Sequence, residues 1–379
     1  MKNIAKKDNL IELRKLLHSK AELSDNEINT SKIINDFIKI HDPDEIISFK
    51  YGSAFVFDSG NAGLTVVFRA DMDGLPIHEE NDHDHVSMND NVSHACGHDG
   101  HMAILCGLAE KISADKPDKG KVVLLFQHAE ETGEGARYIA DHINFRELKP
   151  DHIFGLHNIP GYKKGKIIFK NDNFTSASRG IVLELIGKTS HASEPEKGIN
   201  PVFAIKKLIE SLYEIPKDPC FKGFALITFV YIKLGEIAFG TSPGYAEIMI
   251  TVRSELNVEM DLVVEKIEEK INNITTEEKL KYKISYKEIF PVVHNDNLSN
   301  KLIVDAAKKN NFSIEELTDP FKWSEDFSYY TNNFRGGYFG IGSGLDHPGL
   351  HNSDYDFPDD IINIGVEMFY QIYKLTLKN

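Results

Sequence analysis

The chain has 379 residues, past the length at which one hydrophobic core usually stops growing, so two domains are expected. With 41% hydrophobic residues it can fill sizeable cores, and its formal net charge of -15 argues against nucleic acid or an anionic membrane surface as a partner. An acidic balance serves solubility first, and it also suits a site that concentrates cations.

The lysines of Met1 to Asn9 lead into an amphipathic helix with no apolar signal-peptide core behind them, and no run of about 18 apolar residues offers a membrane span. The three cysteines, Cys96, Cys106 and Cys220, have no framework spacing and suit a reducing compartment, so a cytoplasmic protein is expected. Residues 10–40 are mostly helical. Ile11, Leu13, Leu16 and Leu17 are spaced for one helix, and Ile28, Ile33, Ile34, Phe37 and Ile38 for another. Short apolar runs at 64–68, 122–126, 152–156 and 337–341 read as buried strands, with helical patterns at 102–112 and 136–143 between them. Strands alternating with helices argue for a parallel α/β sheet.

Between about 178 and 291 the rhythm changes. Strands at 180–185, 224–234, 246–253 and 282–286, with helices at 201–213 and 258–274, give the order β-α-β-β-α-β, the split βαβ unit. An inserted domain at 178–292 would divide a catalytic domain into 1–177 and 293–379. No internal repeat or low-complexity segment interrupts this plan.

Chemistry collects after the predicted strands of the first domain. Asp71 and Asp73 follow the first, His128, Glu130 and Glu131 the second, and His157 the third; His351 comes after a glycine-rich loop behind the fourth. Open α/β sheets bind ligands at the carboxyl ends of their strands. The densest cluster is His94-Ala95-Cys96-Gly97-His98-Asp99-Gly100-His101, which should open a helix at about Gly100. A thiolate and an imidazole two residues apart cannot share one helix face, but a loop can turn both inward. Thiolate, imidazole and carboxylate together suit zinc, while imidazole with carboxylate can also hold manganese, nickel or cobalt. Adjacent glutamates are usually solvated. At a strand end near such a cluster, one of Glu130 and Glu131 can bind metal while the other takes a proton from water within reach.

Two lookalikes fail on chemistry. Gly240-Thr241-Ser242-Pro243-Gly244 matches G-x-S-x-G, but the residue after the serine must donate a backbone N–H to the oxyanion, and Pro243 has none. Gly187-Lys188-Thr189 resembles the end of a P-loop, yet Val182 stands where its first glycine belongs. His83 and His85 lie in an acidic, polar stretch and read as a solvated loop; His128, His142 and His152 show no partner pattern. Cys106 lies on an apolar helix and reads as core, and Cys220 lies in a polar connection.

R-A-D-M-D-G-L-P-I from Arg69, H-A-C-G-H-D-G-H from His94, A-E-E from Ala129 and G-L-H-N from Gly155 together resemble the aminoacylase and hippurate-hydrolase family of metallo-amidohydrolases. S-H-A-S-E-P from Ser190, S-E-D-F-S from Ser324, L-H-N-S-D-Y from Leu350 and E-L-R-K-L-L-H from Glu12 extend the likeness, in order, along nearly the whole chain. The resemblance implies an α/β, di-metal zinc-peptidase-like catalytic domain with an inserted ferredoxin-like lid that also forms a homodimer. It implies two divalent ions per subunit, zinc or manganese foremost and cobalt or nickel possible, on Cys96, His98, Glu131, His157 and His351, with Cys96 bridging. Glu130 matches the general base and His191 the lid histidine that reaches toward the substrate carbonyl, usually across the dimer. Asp71 resembles a residue that orients the site from behind the ligands. The implied reaction is hydrolysis of an amide bond in a small N-acylated amino acid. A dipeptidase or carboxypeptidase on the same site, a non-catalytic metal-binding protein, and a thiol hydrolase using Cys96 with a histidine remain as alternatives.

Three departures bear on the substrate. Thr189-Ser190-His191-Ala192 stands where the family usually has G-G-H-A, and Gly240 replaces the asparagine expected before the strand carrying Arg253. Thr132-Gly133-Glu134-Gly135 is poorer in glycine than is usual after A-E-E.

Overall fold

The computed structural model describes residues 6–378, and side chains from residue 9 onward. The start of the lysine-bearing segment, Met1 to Ala5, lies outside the described residues. In chain order the elements are α1 (Lys6–His18), α2 (Ile28–Lys39), β1 (Glu45–Phe49), β2 (Gly52–Asp58), β3 (Thr65–Asp71), α3 (His98–Ala114), β4 (Lys121–Gln127), α4 (Gly135–Asp141), α5 (Ile143–Glu147), β5 (His152–Pro160) and β6 (Ile167–Phe169). There follow β7 (Ala177–Ile186), α6 (Val202–Leu212), β8 (Ala225–Leu234), β9 (Tyr245–Ser254), α7 (Asn257–Glu277) and β10 (Lys281–Phe290). The chain closes with α8 (Asn297–Lys309), β11 (Ile314–Glu316), β12 (Gly336–Gly344) and α9 (Ile362–Leu377).

Two compact units result. One holds the chain up to Phe174 with Val293–Pro320 and Glu325–Asn379; the other holds Thr175–Val292 with Phe321–Ser324. Phe321–Ser324 was expected in the second catalytic segment. It joins the inserted unit because Ser176 N–H bonds Trp323 O at 3.1 Å, Ser176 Oγ bonds Phe321 O at 2.7 Å, and Arg253 donates to Lys322 O at 3.1 Å.

The first unit is built on an eight-stranded sheet in the order β1-β2-β4-β3-β5-β12-β6-β11. The four strands legible as apolar runs, β4, β3, β5 and β12, form its parallel centre. They are buried almost throughout, as strands covered on both faces must be. The sheet as a whole is mixed, which corrects the expectation of a parallel one. β1 and β2 pair antiparallel, β2 pairs antiparallel with β4, and β6 runs antiparallel to β12. Only a two-residue turn separates β1 from β2, too short for the crossover that parallel strands need. Helix α3 packs between this sheet and α1 and α9, and is buried on almost every face. Phe68, Met102, Leu105, Leu124, Phe154, Ile341 and Phe369 lie in the resulting core.

The second unit follows the βαββαβ order, with an antiparallel sheet β8-β9-β7-β10 and helices α6 and α7. Along β9, buried residues alternate with more exposed ones, the period of a sheet with one face on a core. Leu183, Leu185, Ile248 and Ile250 from the sheet meet Leu208, Val263 and Ile267 from the helices. The fold is therefore α/β with an inserted ferredoxin-like unit. No helix among the described residues is long and apolar enough to cross a membrane.

Candidate metal centre

The carboxyl ends of β3, β4 and β5 set the site. After β3 ends on Asp71, the chain comes back through Cys96 and Gly97 into α3, which begins at His98 rather than near Gly100. Gly97 has φ +89°, and a Cβ there would lie 2.7 Å from Asn158 Oδ1, so glycine alone fits this approach. After β4, Ala129 also takes a positive φ of 50°. Its N–H donates to Glu27 Oε1 at 2.7 Å, and the Glu131 N–H donates to Asp73 Oδ2 at 3.0 Å, so two carboxylates pin the turn that carries Glu130 and Glu131. His157 lies within β5, and His351, at φ +65°, is held by its N–H on Ala95 O at 2.8 Å.

Two of the imidazoles have their tautomers set by backbone. His98 Nδ1 lies 2.8 Å from Asp73 O, and His157 Nδ1 lies 2.8 Å from Asn158 O. A carbonyl only accepts, so each Nδ1 carries a proton and Nε2 is the nitrogen left to ligate a metal ion, the arrangement of a ligating histidine. Those nitrogens meet the other donors. Cys96 Sγ is 3.4 Å from His157 Nε2, His98 Nε2 is 3.9 Å from Glu131 Oε1, and His351 Nε2 is 3.7 Å from the same oxygen. Cys96, His98 and His157 form one triad and Cys96, Glu131 and His351 another, with the donor atoms of each within 4.8 Å of one another. The triads share the thiol, and together they contain all five ligands read from the sequence.

The donor set fits metal ions. His98 Nε2 and Glu131 Oε1 are buried without a hydrogen-bond partner, which costs about 1–3 kcal/mol for each group left so. The charges are also unbalanced. Burial, then Glu131 and Glu130, push the Cys96 thiol well above its usual range. Burial, Glu325 and Glu131 push Glu130 well up, and burial raises Glu131 to about 8 although His98 pulls it down. Burial opposes charge on His98, yet Asp71 and Asp73 outweigh it and raise that imidazole to about 10. A thiol, imidazoles and carboxylates crowded this way take up protons for want of a cation, and divalent ions would satisfy them directly. The same burial disfavours a thiol hydrolase. It raises Cys96 and holds His157 well below its usual range, shifts opposite to those that favour a thiolate–imidazolium pair.

Behind the donors lies a buried network. Asp71 Oδ1 bonds His101 Nδ1 at 2.6 Å, and its Oδ2 accepts from Arg69 Nη1 at 2.5 Å. Burial would raise this carboxyl, but His98, His101 and Arg69 hold it well below the usual carboxylate range. Arg69 also donates to Asp326 Oδ1 at 2.8 Å and to Gln127 Oε1 at 2.9 Å, and lies 3.0 Å from Glu325. The Asp326 N–H lies 3.4 Å from Glu130 Oε1, so this network also reaches the candidate base. Asn158 joins His101 to Tyr355. Asp73, His101, Asn158, Arg69 and Asp326 received no role from the sequence. His101 was findable, three residues after His98 and on the same helix face. Asp326 was not, since 257 residues separate it from Arg69.

In the second unit His191 is exposed and shares Nδ1 with Ser193 Oγ at 2.7 Å. Ser190–His191 pairs with Thr241–Ser242, and the Ala192 N–H bonds Gly240 O at 3.0 Å. Two of the three departures therefore lie side by side. A side chain at Gly240 would meet nothing within 4 Å, so packing does not demand glycine there. Ser242 precedes strand β9, with no helix of a nucleophile elbow.

Several bland readings need correction. His83 and His85 are half-buried and stacked on each other at 3.6 Å. His128 is buried 3.7 Å from Asp25, His152 bonds Ser299 Oγ at 2.9 Å, and His142 accepts from the Asn144 N–H at 3.3 Å as the cap of α5. Partners distant in sequence or supplied by backbone leave no pattern to read. Cys106 is buried and Cys220 exposed, and all three cysteines are free thiols.

Thiol, imidazole and carboxylate donors gathered at the strand ends of an α/β sheet make a candidate metal centre of the kind metal-dependent hydrolases use. Residues 67–375 match the model of peptidase family M20/M25/M40. The hippurate hydrolase of Campylobacter jejuni is 31% identical over 373 residues, covering 97% of this chain and 95% of the relative. A hydrolase of Staphylococcus epidermidis is 30% identical over 368 residues, covering 94% and 95%. Among solved structures, a dinuclear metal-binding peptidase from Bacillus subtilis superposes with a TM-score of 0.82 at 23% identity, covering 98% of each chain. The chain belongs to this peptidase family and is one of its metal-dependent amide hydrolases.

Proposed function

We propose that the protein hydrolyses the amide bond of a small N-acylated amino acid, with Glu130 as general base. The observation that carries this reading is the pair of donor triads sharing Cys96, with Glu130 Oε2 3.9 Å from His98 Nε2. Cys96, His98, Glu131, His157 and His351 would hold two divalent ions. Bound there, such ions would polarise a scissile carbonyl and make a water acidic enough to yield hydroxide near neutral pH. Glu130 is buried beside the donors, takes the proton of the attacking water and hands it to the leaving amine. Asp71, locked by Arg69 and His101, positions the imidazole side of the centre. His191 donates to the oxyanion from the inserted unit of a neighbouring copy. Apolar residues exposed along edge strand β8, among them Val230, Tyr231 and Ile232, support pairing with such a copy. Hippurate is itself an N-acylated amino acid, so the hippurate hydrolase relative favours this substrate class over dipeptides.

The test is apo-protein reloaded with zinc, manganese, cobalt or nickel and assayed on N-acyl amino acids and dipeptides side by side. Turnover of the first set is expected; turnover of dipeptides alone would replace the proposal with a peptidase. Glu130→Gln should lower turnover by roughly 10²–10⁴ and keep the metal. Loss of metal in that variant would mean that Glu130 and Glu131 have exchanged roles.

A further inference from the structure

A second group of metal-binding side chains lies in the first unit, away from Cys96. Its inner layer is saturated. His18, fully buried, bonds Asp99 at 2.8 Å and Glu79 at 3.0 Å through its two ring nitrogens. Arg14 reaches Asp356 at 2.6 Å, Asp359 at 2.9 Å and Asp99 at 3.3 Å. The outer layer is not saturated. The His83 and His85 rings stack 3.6 Å apart and almost parallel. His85 Nε2 lies 3.3 Å from both Asp356 oxygens, and His83 Nε2 lies 3.2 Å from Glu79 Oε1 and 3.9 Å from Asp356 Oδ1. Both nitrogens of His83 are shielded from solvent, and neither makes a hydrogen bond.

We propose that His83, His85 and Asp356, with Glu79 as a fourth donor, form a separate site for one divalent transition-metal ion. Donors about 2.0–2.1 Å from a tetrahedral ion stand roughly 3.3 Å from each other, the separation of His85 Nε2 from Asp356 and nearly that of His83 Nε2 from Glu79; an imidazole lone pair lies in its ring plane, so the parallel stack must open for both rings to reach one ion. Among the described residues, the ion pairs of Glu79, Asp99, Asp356 and Asp359 run to one guanidinium, that of Arg14, and otherwise to histidine rings. Arg14 Nη2 now sits 3.2 Å from His85 Nε2; on binding, that nitrogen exchanges the guanidinium for the ion while Arg14 keeps Asp99 and Asp359. A cavity of about 700 Å³, lined by Glu12, Asp82, Asp84, His83 and His85 among others, opens onto the stack and gives an ion an acidic approach. Two imidazoles with carboxylates suit zinc, nickel or cobalt better than magnesium or calcium.

The full-length protein is dialysed against Zn²⁺ or Co²⁺ and its bound metal counted, for wild type and for His83→Ala/His85→Ala. The double variant should bind one ion fewer while keeping both its hydrolytic activity and the Co²⁺–thiolate absorption of the Cys96 centre. In a Cys96→Ser background, adding His83→Ala/His85→Ala should remove one further Co²⁺ ion, one whose spectrum is free of thiolate bands. Should the double alanine variant fold poorly, His83→Gln serves instead and should weaken that same binding event. Equal stoichiometry with and without the two histidines, or a Cys96→Ser protein that binds no cobalt, would overturn the proposal. Neither result depends on which substrate the Cys96 centre hydrolyses.

Discussion

Gly97→Ala is the smallest change that should break the Cys96 centre. At φ +89° an alanine pays the left-handed penalty of about 1–2 kcal/mol. Its Cβ would also lie 2.7–2.9 Å from Oδ1, Nδ2 and Cγ of Asn158, nearer than real contacts allow. Asn158 has little room to retreat, because His101 holds its oxygen and its nitrogen is held on Tyr355. Moving it breaks a buried hydrogen bond, worth about 1–3 kcal/mol. Together the strain comes to about 2–5 kcal/mol. It falls between Cys96 and His98 on one side and His157 on the other, so the donors must shift to relieve it. If all of it is felt by the metal-bound form, ion affinity drops by roughly 30-fold to several thousand-fold. Competition against a chromophoric chelator measures this, with a urea midpoint recorded on the same protein. Asn158→Ala removes the atoms in the way, so the double variant should lose much less than the sum of the two single variants. Metal affinity within about threefold of wild type for Gly97→Ala would refute the reasoning.

Arg69→Met leaves Asp71, Glu325 and Asp326 buried without their shared cation and should cost about 3–5 kcal/mol in urea unfolding; Arg69→Lys keeps the charge but not the fork and should fall between. For His18, burial lowers the pKa but Asp99 and Glu79 outweigh it and hold it at about 10. Its folded pKa lies above the unfolded value of about 6.5, so its stabilisation is complete below that pH and fades as pH rises toward 10. The stability gap between wild type and His18→Gln should therefore be widest near pH 6 and close toward pH 10 in urea titrations; a gap that widens with pH would contradict it. His191→Ala should keep metal and lose about 10²–10³ in turnover, the usual loss for one oxyanion donor. Mixed with inactive Glu130→Gln under free subunit exchange, it should recover part of the activity; no recovery despite proven exchange would place His191 in its own subunit's site or outside catalysis.

Local pattern alone determined a good deal of this protein. Four apolar runs marked the parallel strands at the centre of the large sheet, because a strand buried on both faces must be apolar at every position. The βαββαβ order of the inserted unit was legible for a similar reason, since its strands and helices each keep their own period. The residues of the Cys96 centre were legible by type, since few sequences place thiol, imidazole and paired carboxylates just past strand ends. Other features came into being only in three dimensions. The flanking strands β1, β6 and β11 are short or half-exposed, too weak a signal to separate from loop. The mixed direction of the sheet depends on which strand each of these finds as a neighbour. Which nitrogen each imidazole presents was decided by Asp73 O and Asn158 O, backbone atoms without a sequence signature. Arg69 meets Asp326 across 257 residues, and His83 and His85 meet Asp356 across about as many, so that a stretch reading as solvated loop became a half-buried cluster of imidazoles and carboxylates. Period and composition are properties of neighbouring residues, whereas the electrostatics of a buried site is a sum over whatever groups the fold brings within a few ångströms.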